Sequence, residues 1–172
     1  KIALLEAKLT QMNEEKDEIS VSNLINNIGI IYSEQGNFEE ALNYFERSLV
    51  IQREIKDSLG ISIGLTNIGE TLYILGNKDE ALEDYEEALG ISQKINDQYG
   101  VSYLLASIGE INFDQGKYEQ ANDNLFNALE IVDNLGDVEG ETRILGLLGK
   151  TFQKRGDYNK SNEYCFEALD LA

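Results

Sequence analysis

The sequence predicts an all-α repeat protein of about nine antiparallel helices, and three observations carry that expectation. The chain aligns with itself at a shift of forty residues. Gly29, Gly69, Gly109 and Gly149 coincide, and so do Gly36, Gly76, Gly116 and Gly156. Ala41, Ala81 and Ala121, with Ser161 as the fourth, form another series, and Leu9, Leu49, Leu89, Leu129 and Leu169 a further one. A period of this length marks a solenoid built from one supersecondary unit. Within a unit, Leu82, Tyr85, Ala88, Leu89, Ile91 and Ile95 recur at helical intervals that make one broad buried face. Finally, the 172 residues include no proline, so nothing enforces a break in helical structure.

The elements follow in order. Residues 1–16 read as the second helix of a truncated unit. Full units span 17–56, 57–96 and 97–136, and a last one spans 137–172, all in a single solenoid over 1–172. Each unit opens at an aspartate, Asp17, Asp57, Asp97 or Asp137, which is a good helix N-cap. At three of the four a glycine follows, Gly60, Gly100 or Gly140. In the best-marked unit the first helix runs from Asp57 to about Leu75 and stops where Gly76 can take the left-handed C′ conformation. Asn77 then caps the second helix, and Glu80 three residues on completes a capping-box pattern, which Asn37 and Glu40 repeat. Asp157 keeps the cap but has Lys160 in place of the acid, and Lys117 with Gln120 is the weakest start. The opening helix keeps Leu5 and Leu9 but has Gln11 and Glu15 where later units place isoleucine or leucine, so its far half is expected to be exposed. Without an initiator methionine the chain reads as a piece of something longer.

An interior glycine costs a helix about 1 kcal/mol relative to alanine, so four at one position need a reason. Gly29, Gly69, Gly109 and Gly149 are expected to face the small residues of the paired helix, Ala41, Ala81, Ala121 and Ser161. Removing side chains on both sides permits the closest approach of two helices.

These columns resemble the tetratricopeptide repeat family, whose motif sets a large apolar residue, glycine, aromatic, glycine, alanine, aromatic and alanine at fixed intervals. In the first full unit they are Ile28, Gly29, Tyr32, Gly36, Ala41, Phe45 and Ser48. The second offers Ile68, Gly69, Leu72, Gly76, Ala81, Tyr85 and Ala88, and the third Ile108, Gly109, Asn112, Gly116, Ala121, Leu125 and Ala128. The fourth has Leu148, Gly149, Phe152, Gly156, Ser161, Cys165 and Ala168. The period is longer than the family's usual one and the family's proline is missing. In this the chain is similar to the long repeats of Pins-type polarity adaptors, kinesin light chains and bacterial signalling regulators. Asn112 in an aromatic column and Lys117 at a cap mark a looser third unit. The resemblance implies a right-handed α-α superhelix.

The formal net charge of −18 argues against nucleic acid and anionic membrane surfaces as partners. Residues 1–140 hold 9 basic and 27 acidic side chains and residues 141–172 hold 5 of each, so the acidity is concentrated in the first part. No apolar run approaches the roughly 18–20 residues that cross a bilayer, and the start lacks a secretory layout. Cys165 is the single cysteine, which fits a reducing cytoplasm, and its column implies an inert buried thiol.

The sequence contains no histidine, which removes the commonest acid–base and metal-binding side chain. No cofactor or metal is expected, and adjacent acids such as Glu39–Glu40 suit helix starts better than catalysis. "RILGLLGKT" ends like a phosphate-binding loop, but Ile144 stands where the motif needs glycine and the repeat puts Gly149–Lys150 inside a helix. The sequon at Asn159 has no secretory signal to give it meaning. The chain is therefore expected not to be an enzyme.

What remains is a surface. The resemblance implies that first helices line a concave groove holding a protein or peptide ligand. Positions i, i+3, i+7 and i+10 share one helix face, and the candidates there are Asn23 and Asn26, then Thr66, Glu70 and Tyr73, then Tyr103, Glu110 and Phe113, then Arg143 and Lys150. Asn27 and Asn67 border them, and amides can bond a peptide backbone without demanding a sequence. Tyr73, Tyr103 and Phe113 are the expected anchors. Family members that clamp a terminal carboxylate use Lys, Asn, Asn, Lys and Arg. The matching positions here are Asn26, Ile30, Asn67, Tyr103 and Ser107, of which only Asn67 agrees, so no such clamp is expected. The groove should suit a peptide with central basic residues and acidic ones at one end. The leading expectation is a sensory or regulatory segment of a larger bacterial signalling protein. The alternatives are a polarity or transport adaptor, or a module that self-associates through its terminal helices.

Overall fold

Asp57, Asp97 and Asp137 each start a helix by one device: the carboxylate accepts the backbone N–H three residues on, at 3.0, 3.0 and 3.1 Å from Gly60, Gly100 and Gly140. The glycine follows from that bond, because a Cβ at Gly60 or Gly140 would run into the capping carboxylate. The computed structural model describes residues 2–15 and 18–171, with the side chains of 3 and 10–15 left aside. Among the described residues there are nine helices and no strand: α1 Ile2–Glu15, α2 Glu18–Glu34, α3 Phe38–Glu54, α4 Ser58–Leu75, α5 Lys78–Lys94, α6 Gln98–Asp114, α7 Tyr118–Leu135, α8 Val138–Lys154 and α9 Tyr158–Leu171. The expectations for Asp17, for Gln11 and Glu15, and for Ala172 lie outside the described residues.

First helices end as the sequence predicts. Gly36, Gly76, Gly116 and Gly156 have φ of +77°, +90°, +75° and +82°. The residue after each donates its N–H five residues back, as Asn37 does to Tyr32 and Asn77 to Leu72, both at 2.9 Å. That same bond overturns the expected capping boxes. A box needs the N-cap N–H for the acid at N3, and at Asn37 and Asn77 that N–H is already committed to the preceding helix. Neither asparagine side chain caps its helix, and neither does Lys117. Asp157 does, accepting from the Lys160 N–H at 3.2 Å.

The helices fall into two compact units, Lys1–Ile95 and Asn96–Ala172. In the first, α2 pairs with α3 and α4 with α5, while α3 packs on α4 and α1 on α2. Leu9, Val21, Leu24, Ile25 and Ile28 form a core there, with Leu5, Tyr32, Tyr44 and Ile51 against it. In the second, α6 pairs with α7 and α8 with α9, and α7 packs on α8. Its core joins Leu125, Ala128 and Val132 to Ile144, Leu147, Leu148 and Phe152.

The four interior glycines do sit in helix–helix contacts, and three of them meet the backbone of the small residues expected, but the nearest atoms belong to the residue one turn further on. A Cβ on Gly29 would lie 2.6 Å from the Phe45 ring, on Gly69 2.8 Å from Tyr85, on Gly109 3.0 Å from Leu125 and on Gly149 2.6 Å from Cys165. The missing side chain makes room for the large residue of the next column. The small residue contributes its backbone, since the Ala81, Ala121 and Ser161 carbonyl oxygens stand 3.2, 3.3 and 3.4 Å from the same points. Cys165 is also corrected: it is exposed, whereas Phe45, Tyr85 and Leu125 in its column are buried. α9 packs on α8, and Phe166 and Leu169 on its outer side are exposed as well.

Candidate functional site

A first helix buries the side that meets its own second helix and presents the opposite side outward. In α2, Ile25, Ile28 and Gly29 are buried while Asn23, Asn27 and Ile30 are exposed. In α4, Leu65, Ile68 and Gly69 are buried, Glu70 is exposed, and Thr66, Asn67 and Tyr73 are half-buried.

Within the first unit, two of the predicted amides spend themselves on each other. The Asn67 Nδ2 donates to Asn26 Oδ1 at 2.9 Å, tying α4 to α2. Asn26 is only 8% exposed, so it is a strut between helices before it is a ligand contact. Thr66 is likewise committed within its own helix, its hydroxyl donating to the Ser62 carbonyl at 2.8 Å. Tyr73 carries the Lys78 ammonium 5.7 Å from its ring centroid.

The second unit brings together three of the predicted residues. Arg143 on α8 lies 5.0 Å from the Tyr103 ring centroid and reaches the Glu110 carboxylate at 3.3 Å, both on α6. Its guanidinium also donates to the Ser107 hydroxyl at 3.5 Å. Arg143 and Tyr103 remain exposed and Glu110 half-buried. The result is a stacked aromatic–guanidinium pair with an acid beside it, open to solvent on one side. Phe113 is apart from this cluster, tilted against Tyr118 with centroids 5.7 Å apart, and Lys150 is exposed. Reading single columns missed the Arg143–Ser107 contact. The signal was available, because Ser107 and Arg143 occupy neighbouring rows one repeat apart.

Among the described residues there is no group of three or more His, Cys, Asp or Glu side chains that could hold a metal ion, and no helix long and apolar enough to cross a membrane.

Paired antiparallel helices repeating every forty residues define the class as an α-helical hairpin repeat. Residues 20–94 match the model of the tetratricopeptide repeat family, so the resemblance read from the glycine and alanine columns holds. No curated protein sequence matches the chain. Among solved structures, BtubC from P. vanneervenii is 19% identical with a TM-score of 0.90, over 98% of this chain and 70% of that one. Aspartyl phosphate phosphatase F from Bacillus subtilis is 15% identical with a TM-score of 0.90, over 99% of this chain and 45% of that one. A signal-transduction ATPase with numerous domains and a tetratricopeptide repeat sensor, from Pyrococcus horikoshii, is 24% identical with a TM-score of 0.83, over 95% of this chain and 25% of that one. The chain thus spans less than half of the phosphatase and a quarter of the ATPase. At these identities the likeness establishes the fold, an all-α tetratricopeptide solenoid, which in general serves as a non-catalytic scaffold for protein interactions.

Proposed function

We propose that residues 1–172 form one tetratricopeptide domain that binds a protein or peptide segment along its first helices, as the sensory or regulatory part of a larger cytoplasmic signalling protein and without catalysis of its own. The observation that carries this is the Tyr103–Arg143–Glu110 cluster. An aromatic face and a fixed pair of charges, half open to solvent on first helices, is the composition of an interaction hot spot. The sensor in the Pyrococcus horikoshii ATPase is consistent with the regulatory role. Asn23, Asn27, Glu70, Tyr73, Phe113 and Lys150 extend the contact surface on their helices.

Peptide display against the whole chain, followed by calorimetry of the selected peptides, tests the reading. Tyr103→Ala and Glu110→Gln are expected to weaken binding by about tenfold each, an effect of about 1.4 kcal/mol. Selected peptides that bind both variants as tightly as the parent would contradict it. One observation favours a second reading, self-association: Phe166 and Leu169 stand exposed on α9 at 65% and 69%. Light scattering at rising concentration separates the two, since a strict monomer excludes the second.

A further inference from the structure

Between the start of α7, the end of α8 and the start of α9 lies an open cleft of about 510 Å³. At its base is Asn122, 4% exposed, whose side-chain oxygen and nitrogen both lack a hydrogen-bond partner within the protein. A buried amide without partners costs about 1–3 kcal/mol for each unsatisfied group. The first two repeats avoid that cost by placing Leu42 and Leu82 in the same column.

The neighbouring columns change with it. Phe126 stands where those repeats have Glu46 and Glu86. Arg155 replaces Gln35, Leu75 and Gln115, and Lys160 replaces Glu40, Glu80 and Gln120. All these residues line the one cleft. Phe126 and Phe152 make an aromatic wall, with centroids 6.3 Å apart, braced from behind by Tyr164 at 6.1 and 5.5 Å. The Arg155 guanidinium and the Lys160 ammonium lie 5.8 and 5.1 Å from the Phe152 centroid, so two cations converge on one ring.

We infer that this cleft, separate from the first-helix faces, binds a ligand presenting an amide beside a single carboxylate, the chemistry of a peptide C-terminus or of an acidic residue within a peptide. The Asn122 amide offers a donor and an acceptor side by side, which matches the C=O and N–H edge of an amide. The carboxylate goes to Arg155 and Lys160, and the apolar part of the ligand lies on the Phe126–Phe152 wall. The acids at the rim set the charge. Glu119 sits 3.6 Å from Arg155, the Asp157 Oδ1 is bonded to the Lys160 N–H, and Asp123 completes the lining. Three carboxylates around two cations leave the rim net negative, which disfavours a phosphate dianion more than a single carboxylate paired directly with Arg155 and Lys160.

The test is titration of the isotope-labelled 172-residue chain by NMR, following the Asn122 side-chain NH₂. N-acetyl-leucine stands for a C-terminus, N-acetyl-glutamic acid α-amide for an internal acid, and N-acetyl-leucinamide is the control without a carboxylate. At least one acid is expected to give a saturable shift, with about tenfold weaker binding for the control and for Arg155→Gln. Asn122→Leu should lose the site and raise Tm, because it restores the residue of the first two repeats, Leu42 and Leu82, and so keeps the fold. Which acid binds more tightly tells the C-terminus from the internal side chain. No saturable shift at Asn122, equal binding of acid and control, or undiminished binding to Asn122→Leu would each overturn the inference. A Tyr103→Ala chain should bind the probe normally, so failure of the first-helix reading leaves this result intact.

Discussion

Gly69 shows what one absent methyl decides. Its ideal Cβ position is 2.8 Å from a Tyr85 ring carbon and 3.2 Å from the Ala81 carbonyl, so Gly69→Ala must push a buried ring aside. Overpacking of this kind costs about 1–3 kcal/mol, against a gain of about 1 kcal/mol in helix propensity. The expected net is a loss of up to about 2 kcal/mol in chemical denaturation. Gly90→Ala, in the same unit and with nothing within 4 Å of its Cβ position, should gain up to about 1 kcal/mol instead. The sequence made the four glycines visible as contacts because they recur. It concealed which residue fills the space, since the alanine column and the aromatic column lie one turn apart on the same helix. Cys165 was misread for a related reason: a column predicts burial only where a neighbouring helix covers it, and among the described residues α9 packs chiefly on α8, with Cys165 left exposed. Asp84 adds a prediction no periodicity could supply. Burial, then the Glu87 and Glu83 carboxylates, raise it to about 6 despite Arg53. Folded chains therefore hold a proton that unfolded chains release between about pH 4 and pH 6, and stability falls as pH rises through that window. Asp84→Asn should be more stable than the parent at pH 7 and show a shallower slope from pH 4 to 6. Denaturant midpoints across that range check both, and an unchanged slope would contradict the assignment.

At the scale of the element, the two helices of a repeat start differently, and only one start was legible. The Asp-x-x-Gly junction was readable because its aspartate makes the expected cap and its glycine clears the carboxylate. The Asn-x-x-Glu pattern looked equally good and forms no box, because the left-handed turn before it has already taken the asparagine N–H. Asp57→Ala should therefore cost about 1 kcal/mol. Asn77→Ala should cost much less, as its side chain makes no cap bond. Equal losses in thermal or chemical unfolding would contradict the distinction. A second left-handed turn, between repeats, escaped notice altogether. Lys56, Asn96 and Gly136 all have positive φ, at +58°, +58° and +67°, but only the last announces itself as glycine.

For the molecule as a whole, the net charge of −18 and the helical repeat were the most legible features, because each is a sum over many residues. The candidate site was legible only in part. Exposure on the first helices was foreseen for Asn23, Asn27, Glu70, Tyr103, Arg143 and Lys150, all of which lie open. Pairing was not, since Asn26 with Asn67 and Arg143 with Glu110 join residues 41 and 33 positions apart. Asn122 was hidden because its column changes from leucine (Leu42, Leu82) to asparagine (Asn122, Asn162), which reads as tolerated variation until the burial of Asn122 is known. The proposed function requires a bound segment to lie on the first helices. Hydrogen–deuterium exchange of the full chain, with and without a display-selected peptide, measures this directly. Added protection should fall in α2, α4, α6 or α8 and include the residues around Tyr103 and Arg143. Protection confined to α3, α5, α7 and α9 would contradict it.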